Sequence, residues 1–194
     1  GPDVVIVVDG DLRVASGVTL TVAAGTVVKF TDSSAGITVA GGGKLLSAGT
    51  AASPVVLTSY TDDEAHGDTN GDGKATAPTY GDWRDIRIES GGRADLAHAE
   101  ILYASRAINA DSAYAKVHLI AATLQKNGNG IYVYSPYAEV RAENCVIADN
   151  ASNAIFMRAS SLGIFKNCTI TGNQAGIHIG AATMEFDNCI VAFN

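Results

Sequence analysis

The chain of 194 residues carries a formal net charge of −7, with 47% hydrophobic and 17% charged residues. This composition excludes an intrinsically disordered chain. The acidic balance argues against nucleic-acid partners and anionic membranes, which attract positively charged surfaces. No apolar run approaches the roughly 18 residues of a membrane-spanning helix, so we expect no membrane insertion. Residues 1–2, Gly-Pro, resemble the scar left by protease cleavage and are set apart from the fold.

The N-terminal part is predicted to form short strands separated by turns rich in glycine. Residues 3–16 contain the run DVVIVVDGDLRV, which we predict to be a strand cap over the first coil. Such a cap is expected because an open coil end exposes apolar core and unpaired strand edges. Further short strand candidates, separated by turns, are VTLTV (18–22), TVVKF (26–30), GITV (36–39), KLL (44–46) and VVLTS (55–59).

An acidic insertion over residues 61–82 interrupts this pattern. Residues 61–90 hold eight of the twenty carboxylates, against three basic residues. The run 68–73 reads D-T-N-G-D-G, which is the front half of a calcium loop. Its spacing places side-chain oxygens at alternate residues, namely Asp68, Asn70 and Asp72, with the carbonyl of Lys74 as the next ligand.

The usual acidic residue at position 12 of such a loop is replaced by Thr79, so more negative charge is expected from Asp62, Asp63 or Asp82. Every available ligand is a hard oxygen, which favours calcium. We therefore predict a structural Ca²⁺ of modest affinity, in the ~10⁻⁴ to 10⁻³ M range of extracellular modules. The alternative is a solvated acidic loop without an ion.

An internal repeat dominates the C-terminal half. It divides into segments 105–127, 128–150, 151–173 and 174–194, three of 23 residues and one of 21. Aligned positions share their chemistry, in columns that run Ile101, Leu124, Ile147, Ile170 and Val191; Ile108, Ile131, Ile155 and Ile177; and Asn127, Asn150, Asn173 and Asn194. Each segment contains three short stretches with period-2 alternation, separated by Asn or Gly.

Identical apolar columns indicate coils that stack in register, and Asn columns indicate corners. We therefore predict an all-β fold over residues 17–194, a right-handed, single-stranded parallel β-helix of about eight coils of roughly 20–23 residues. Cys145, Cys168 and Cys189 occupy one inward column. We expect them to be buried, unpaired thiols, because side chains that point the same way on successive coils suit a disulfide poorly.

One outward face of the repeat carries aromatic and charged residues. The set that we predict to contact a ligand is Tyr132, Tyr134, Tyr137, Arg158, His178 and Asp111. Exposed aromatic rings on a flat sheet can stack on sugar faces. The competing interpretation is stacking between aromatic neighbours, which stabilises the coils without any ligand.

Several segments of residues 16–88 resemble a known kind of domain: SGVTLTVAAGTVVKF, KLLSAGTAASPVVLTS, GDTNGDG and GDWRDIRI. They are similar to the opening of right-handed parallel β-helix domains of the pectate-lyase-like superfold, as found in large secreted bacterial surface proteins. The resemblance implies an extracellular or bacterial cell-surface location. Because residue 194 falls at the close of a coil, where an open end would expose apolar core, we expect the chain to be part of a longer polypeptide. The superfold includes polysaccharide lyases, glycoside hydrolases, adhesins and carbohydrate-binding repeats, so the fold alone does not select an activity.

Three possible functions follow from these observations. The favoured one is a non-catalytic, calcium-stabilised module that serves adhesion or carbohydrate binding, with a polysaccharide or another surface protein as partner. No convergent set of catalytic groups is evident in the sequence. The alternative is a polysaccharide lyase or glycoside hydrolase domain, or a fragment of one, acting on extracellular glycan. A glycosidase needs two carboxylates roughly 5–10 Å apart, and Asp111 has no such partner in neighbouring coils. A pure scaffold without a ligand is the third possibility.

Overall fold

A computed structural model describes residues 4–194, which contain 22 β-strands and no helix. Among these residues no helix is long and apolar enough to cross a membrane. The predicted scar at residues 1–2 and the first residue of the predicted cap lie outside the described residues. The rest of the predicted cap supplies the strands β1 and β2 of the first coil.

The strands of the N-terminal half are β1 (Val4–Val8), β2 (Asp11–Val14), β3 (Thr19–Ala23), β4 (Thr26–Phe30), β5 (Gly36–Val39), β6 (Lys44–Ala48), β7 (Val55–Ser59), β8 (Trp83–Ile88), β9 (Arg93–Ala97), β10 (Ala99–Leu102) and β11 (Ala104–Asn109). Those of the C-terminal half are β12 (Lys116–Ile120), β13 (Thr123–Gln125), β14 (Asn129–Val133), β15 (Glu139–Glu143), β16 (Val146–Ala148), β17 (Asn153–Arg158), β18 (Leu162–Lys166), β19 (Thr169–Thr171), β20 (Ala175–Gly180), β21 (Thr183–Asp187) and β22 (Ile190–Ala192).

Every third strand joins the same sheet. Sheet A has the order β1-β4-β7-β10-β13-β16-β19-β22, sheet B the order β2-β5-β8-β11-β14-β17-β20, and sheet C the order β3-β6-β9-β12-β15-β18-β21. All pairs of named strands in these sheets are parallel. Three consecutive strands therefore make one coil, and the chain forms seven complete coils followed by the first strand of an eighth. The predicted all-β parallel solenoid of about eight coils is confirmed.

The register follows the columns of the sequence. Ile101 pairs with Leu124, Leu124 with Ile147, and Ile147 with Ile170. All four side chains are buried in the hydrophobic core. Since side chains alternate across a strand, this register fixes the face of every other residue of the repeat.

The predicted Asn column forms a hydrogen-bonded ladder at the corner between sheets A and B. The Asn150 side chain donates from Nδ2 to Asn173 Oδ1 at 2.7 Å and to the Leu124 carbonyl at 3.2 Å. Its own Oδ1 accepts the backbone N–H of Asn127 at 3.0 Å. Asn127, Asn150 and Asn173 are buried, so each amide satisfies backbone groups that water does not reach.

Two side-chain contacts complete the core. The ring of Phe30 stacks on Trp83 with 4.2 Å between centroids, and Trp83 Nε1 donates to the Leu102 carbonyl at 2.6 Å.

The three thiols are unpaired, as predicted. Cys145 and Cys168 are buried, whereas Cys189, in the last segment of the repeat, is half-buried. A hydrogen bond with Cys168, together with burial, raises the pKa of the Cys145 thiol, so it is a poor nucleophile.

Replacement of Asn150 by alanine is expected to lower the free energy of unfolding by about 2–5 kcal/mol, because it leaves the Asn127 N–H buried without its acceptor and removes the Asn150 amide donor from the Leu124 carbonyl. Chemical denaturation measures the change. The matched control is Asn129→Ala, which removes an amide that accepts one longer hydrogen bond, from Asn153 at 3.3 Å. Equal losses in the two variants would contradict the importance assigned to the ladder.

Candidate functional site

The acidic insertion covers the outer surface of sheet A. It leaves β7 after Ser59 and returns at Trp83, the first residue of β8. Lys29 on β4 and Thr58 on β7 are paired across the sheet, and both are completely buried although they alternate with core residues. The insertion is therefore the layer that excludes water from this part of the sheet.

Lys29 fastens the insertion to the solenoid. Its Nζ donates hydrogen bonds of 2.8 Å to the carbonyl of Asp62, the carbonyl of Gly67 and the hydroxyl of Thr69. Burial lowers the pKa of Lys29, and the nearby carboxylates of Asp62 and Asp63 act in the opposite direction. The ammonium group of Lys29 thus places a positive charge beneath the acidic loop.

Two of the predicted calcium ligands hold the loop's own backbone and neighbours instead. Asp62 is buried and accepts from the Thr58 hydroxyl at 2.6 Å. Asp82 accepts from the hydroxyls of Ser59 and Thr79, each at 2.7 Å. These two carboxylates therefore close the two ends of the insertion.

The structure brings three other predicted residues together. Carboxylate oxygens of Asp63, Asp68 and Asp72 lie within 4.8 Å of one another. Asp63 Oδ1 is buried and has no hydrogen-bond partner among residues 4–194. A buried carboxylate oxygen without a donor is costly, and these three carboxylates are a group of residues that could hold a cation.

Asp68 is shaped by the turn that follows it. Its carboxylate accepts backbone N–H groups from Gly71 at 2.7 Å, Gly73 at 2.8 Å and Asp72 at 3.2 Å. The hydrogen bond from Gly73 is the largest of the effects that lower the pKa of Asp68, and Lys29 adds to them. The carboxylate therefore remains charged under mildly acidic conditions.

The other loop positions supply further oxygen atoms. Asn70 donates to Asp72 Oδ2 at 3.0 Å and to the Thr76 hydroxyl at 3.1 Å, and the Thr76 hydroxyl in turn donates to Asp72 Oδ2. Lys74 and Thr76 line an adjoining cavity of about 410 Å³, together with Asp63. Thr76, the ninth residue counted from Asp68, thus joins the cluster.

Sequence reasoning did not single out Lys29 or Thr76. Lys29 is the one charged residue of the strand TVVKF, but its burial results from the insertion that covers it and has no signature in the strand pattern. Thr76 falls at position 9 of the loop template, where an oxygen ligand is common.

The second predicted site lies on the outer face of sheet B. Tyr132, Phe156 and His178 lie on successive coils and form a stacked column, with centroid distances of 4.8 Å and 4.6 Å. Arg106 lies over the Tyr132 ring at 4.1 Å. This column matches the predicted stacking of aromatic neighbours, which contributes to stability whether or not a ligand binds.

The remaining predicted residues are more accessible. Tyr134 is 46% exposed, and the guanidinium group of Arg158 lies 5.4 Å from the centre of its ring. Tyr137 is 62% exposed and stacks on Tyr114 at the corner that leads to sheet C, with Asp111 on the same corner one coil earlier. The face is therefore an aromatic surface with a guanidinium group on it, and Tyr137 and Asp111 lie at its border.

Sheet C presents mainly ion pairs. Asp95 accepts hydrogen bonds from Arg93 Nε at 2.8 Å and forms a salt bridge with Lys44 at 2.9 Å. Burial raises the pKa of Asp95, but the hydrogen bonds from Lys44 and Arg93 outweigh it and lower the pKa below its usual value. Asp95 is thus a stably ionised group, held by two cations.

Replacement of Lys29 by methionine is expected to release the insertion while the solenoid remains folded. Its ammonium group donates three hydrogen bonds, and we expect a loss of about 1.5–3 kcal/mol in the free energy of unfolding. Limited proteolysis should cut residues 60–82 faster than in the wild type. Lys116→Met, on the exposed face of sheet C, is the control. Unchanged cleavage of the insertion would show that Lys29 does not hold it.

Comparison with known proteins gives one family match. Residues 3–82 match the model described as a pectate-lyase like beta helix domain, a region that spans the first two coils, β7 and the insertion. The search of curated proteins found no match. The stacked parallel coils make the chain a parallel β-helix domain, and its residues 3–82 are similar to the pectate-lyase like beta helix domain.

Proposed function

We propose that this β-helix is a non-catalytic, calcium-stabilised module of a secreted or cell-surface protein, and that it binds carbohydrate through the outer face of sheet B. Pectate-lyase-like β-helix domains are often extracellular, which agrees with a role in adhesion to a glycan or to another surface protein. The proposal has two parts, the metal and the binding face, and each is tested separately.

The buried, unpartnered oxygen of Asp63 beside Asp68 and Asp72 is the observation that supports the metal. Three carboxylates at this spacing repel one another, and Lys29 is already committed to the backbone of the loop. A divalent cation would pair with all three carboxylates and would give the orphan oxygen a partner.

The donor set fits Ca²⁺. It consists of hard oxygens only: the three carboxylates, the Asn70 amide and the Thr76 hydroxyl. Asp62 and Asp82, which were predicted as possible donors, serve the loop ends instead, and Asp63 is the extra carboxylate of the proposed site. Lys74 keeps the carbonyl ligand role that its position in the loop predicts.

The ion would have a structural role, because Lys29 and the proposed calcium secure different parts of the insertion. Lys29 holds the segment around Asp62 to Thr69, whereas the carboxylate cluster joins Asp63 to the turn 68–76. Calcium is therefore expected to order the second segment and to add moderately to a stability that does not depend on it entirely.

The binding face is supported by its exposed aromatic rings. Tyr134, with Arg158 over its ring, adjoins the column of Tyr132, Phe156 and His178, and together they give a continuous aromatic surface across three coils. Such a surface suits stacking with sugar rings, and the guanidinium group adds hydrogen-bond donors beside it.

Millimolar CaCl₂ is expected to raise the melting temperature of the wild type and to slow proteolysis within residues 68–76. The double variant Asp68→Asn with Asp72→Asn should lose both effects, because it removes two of the three charges. Differential scanning calorimetry and isothermal titration with Ca²⁺ measure the response. Asp149→Asn, an exposed carboxylate outside the insertion, should respond like the wild type.

Asp68 also makes the stability of the protein depend on pH. Its folded pKa lies below the unfolded value, so its contribution to stability is present above the unfolded pKa and is lost as the pH falls through the folded one. The stability that Asp68 contributes should therefore still be present at about pH 5. If neither calorimetry nor titration shows a response at millimolar Ca²⁺, the insertion is a solvated loop held by Lys29 alone.

Tyr134→Ala is expected to weaken retention on the recognised glycan by about tenfold, while the melting temperature changes little because this ring is half-exposed. A glycan array followed by affinity electrophoresis on the positive polysaccharides gives the measurement. Val146→Ala, an exposed side chain on sheet A, is the control.

Two outcomes would contradict the binding face. A loss of stability in Tyr134→Ala as large as that of a core substitution would make the ring structural. Release of unsaturated products or new reducing ends from the same polysaccharides would instead favour the lyase or hydrolase alternative, since a non-catalytic module leaves the chain length unchanged.

A further inference from the structure

A cleft of about 810 Å³ lies between the insertion and the side of the solenoid. One wall is the end of the insertion, and the other is the corner between sheets A and B in coils four to seven. The residues that line it are Pro78, Thr79, Tyr80, Tyr103, Lys126, Asp149, Asn150, Ala151, Gly172 and Gln174. None of the predicted ligand residues lies there.

The corner wall of the cleft is formed by equivalent positions of the repeat. Tyr103, Lys126, Asp149 and Gly172 occupy the same corner position in successive coils, each with a positive φ between 52° and 68°. A Cβ at Gly172 would lie 2.3 Å from Asp149 Oδ1, so glycine at this step leaves room for the carboxylate. The corner thus presents a ring, an ammonium group and a carboxylate on successive coils, and Lys126 Nζ lies 3.5 Å from the Tyr103 hydroxyl.

The insertion, which forms the opposite wall, is hydrogen-bonded to this corner. The backbone N–H of Gly81 donates to the Tyr103 carbonyl at 3.0 Å, which holds the neighbouring Tyr80 beside the corner. Tyr80 is 54% exposed, and Asp82 bonds to Thr79 on the other side of it. The cleft therefore has tyrosine rings on both walls and is held open by backbone contacts.

The chemistry of the lining selects the class of ligand. Lys126 and Asp149 balance in charge, so the cleft does not favour an ion of either sign, although the chain as a whole is acidic. Gln174 is exposed, so its amide is available to donate and to accept. The backbone N–H groups of Tyr103, Asp149 and Gly172 are already bonded to the next coil, so an extended peptide finds few backbone donors on the corner wall.

We propose that this cleft binds a neutral oligosaccharide, which stacks between Tyr80 and Tyr103 and receives hydrogen bonds from Lys126 and Gln174. This inference extends the proposed carbohydrate-binding function to a second site, at a corner that the sheet B face does not reach. A cavity of this volume falls within the size range of ligand sites and accommodates several sugar units.

The experiment screens the full chain against neutral and acidic oligosaccharides by isothermal titration calorimetry, at low and at high NaCl. We expect a neutral oligosaccharide to bind with an affinity that salt hardly changes, because no net charge is paired. Tyr80→Ala should weaken this binding by about tenfold, and Gln174→Ala should weaken it several-fold. Ile120→Ala, an exposed side chain on sheet C that belongs to neither site, is the control.

The outcomes separate this site from the sheet B face. Loss of binding in Tyr134→Ala but not in Tyr80→Ala would overturn the cleft and support the face. Binding of acidic oligosaccharides alone, or of a peptide, would overturn the assignment to neutral sugars. Absence of binding by any glycan would overturn both sites. Melting curves check that Tyr80→Ala and Gln174→Ala remain folded.

Discussion

Parallel hydrogen bonding between successive coils is the constraint on which the rest of the structure depends. A coil of this chain has no core of its own, and it buries its inner side chains only when the next coil stacks in register. At the corners the strands stop pairing, and the Asn ladder takes over by bonding the amide of one coil to the backbone of the coil before it. Register, burial and corner geometry therefore depend on one another, and a substitution that disrupts one of them also disrupts the other two.

This coupling explains why most of the fold could be predicted from the sequence. A 23-residue period fixes which residues are vertical neighbours, and period-2 alternation fixes which of them point inward, so columns such as Ile108, Ile131 and Ile155 follow without any knowledge of long-range contacts. In the N-terminal coils the period is irregular, and there the strand pattern gave the elements but no columns. The contact between Phe30 and Trp83, which spans the insertion, has no signature in the repeat.

The insertion could be predicted only in part, because it obeys no period. Local spacing identified Asp68, Asn70 and Asp72, whose turn is closed by hydrogen bonds within a few residues. How the loop folds onto the sheet depends on tertiary contacts, which local residue spacing does not show. The sequence offered Asp62, Asp63 and Asp82 as equivalent donors, and only the path of the chain shows that two of them close the loop ends while Asp63 reaches the cluster. Lys29 was missed for the same reason, since a lysine on an outer face becomes buried only after the loop covers it.

The insertion therefore changes what a regular solenoid can do. A bare β-helix offers flat faces and shallow corners, which bind only what can spread over a surface. The loop lies across the corner beside Tyr103, so it forms a second wall there and a cleft lies between the loop and the corner.

The same loop concentrates negative charge in a segment that has no strand hydrogen bonds. The buried ammonium group of Lys29 compensates part of that charge. The orphan oxygen of Asp63 marks the charge that Lys29 leaves uncompensated. The proposed cation site and the cleft wall belong to one segment, so an ion that orders the turn 68–76 would also restrict the motion of residues 78–80, which follow shortly after it in the chain. Metal binding and ligand binding would then be linked through the stiffness of a single loop rather than through any movement of the coils.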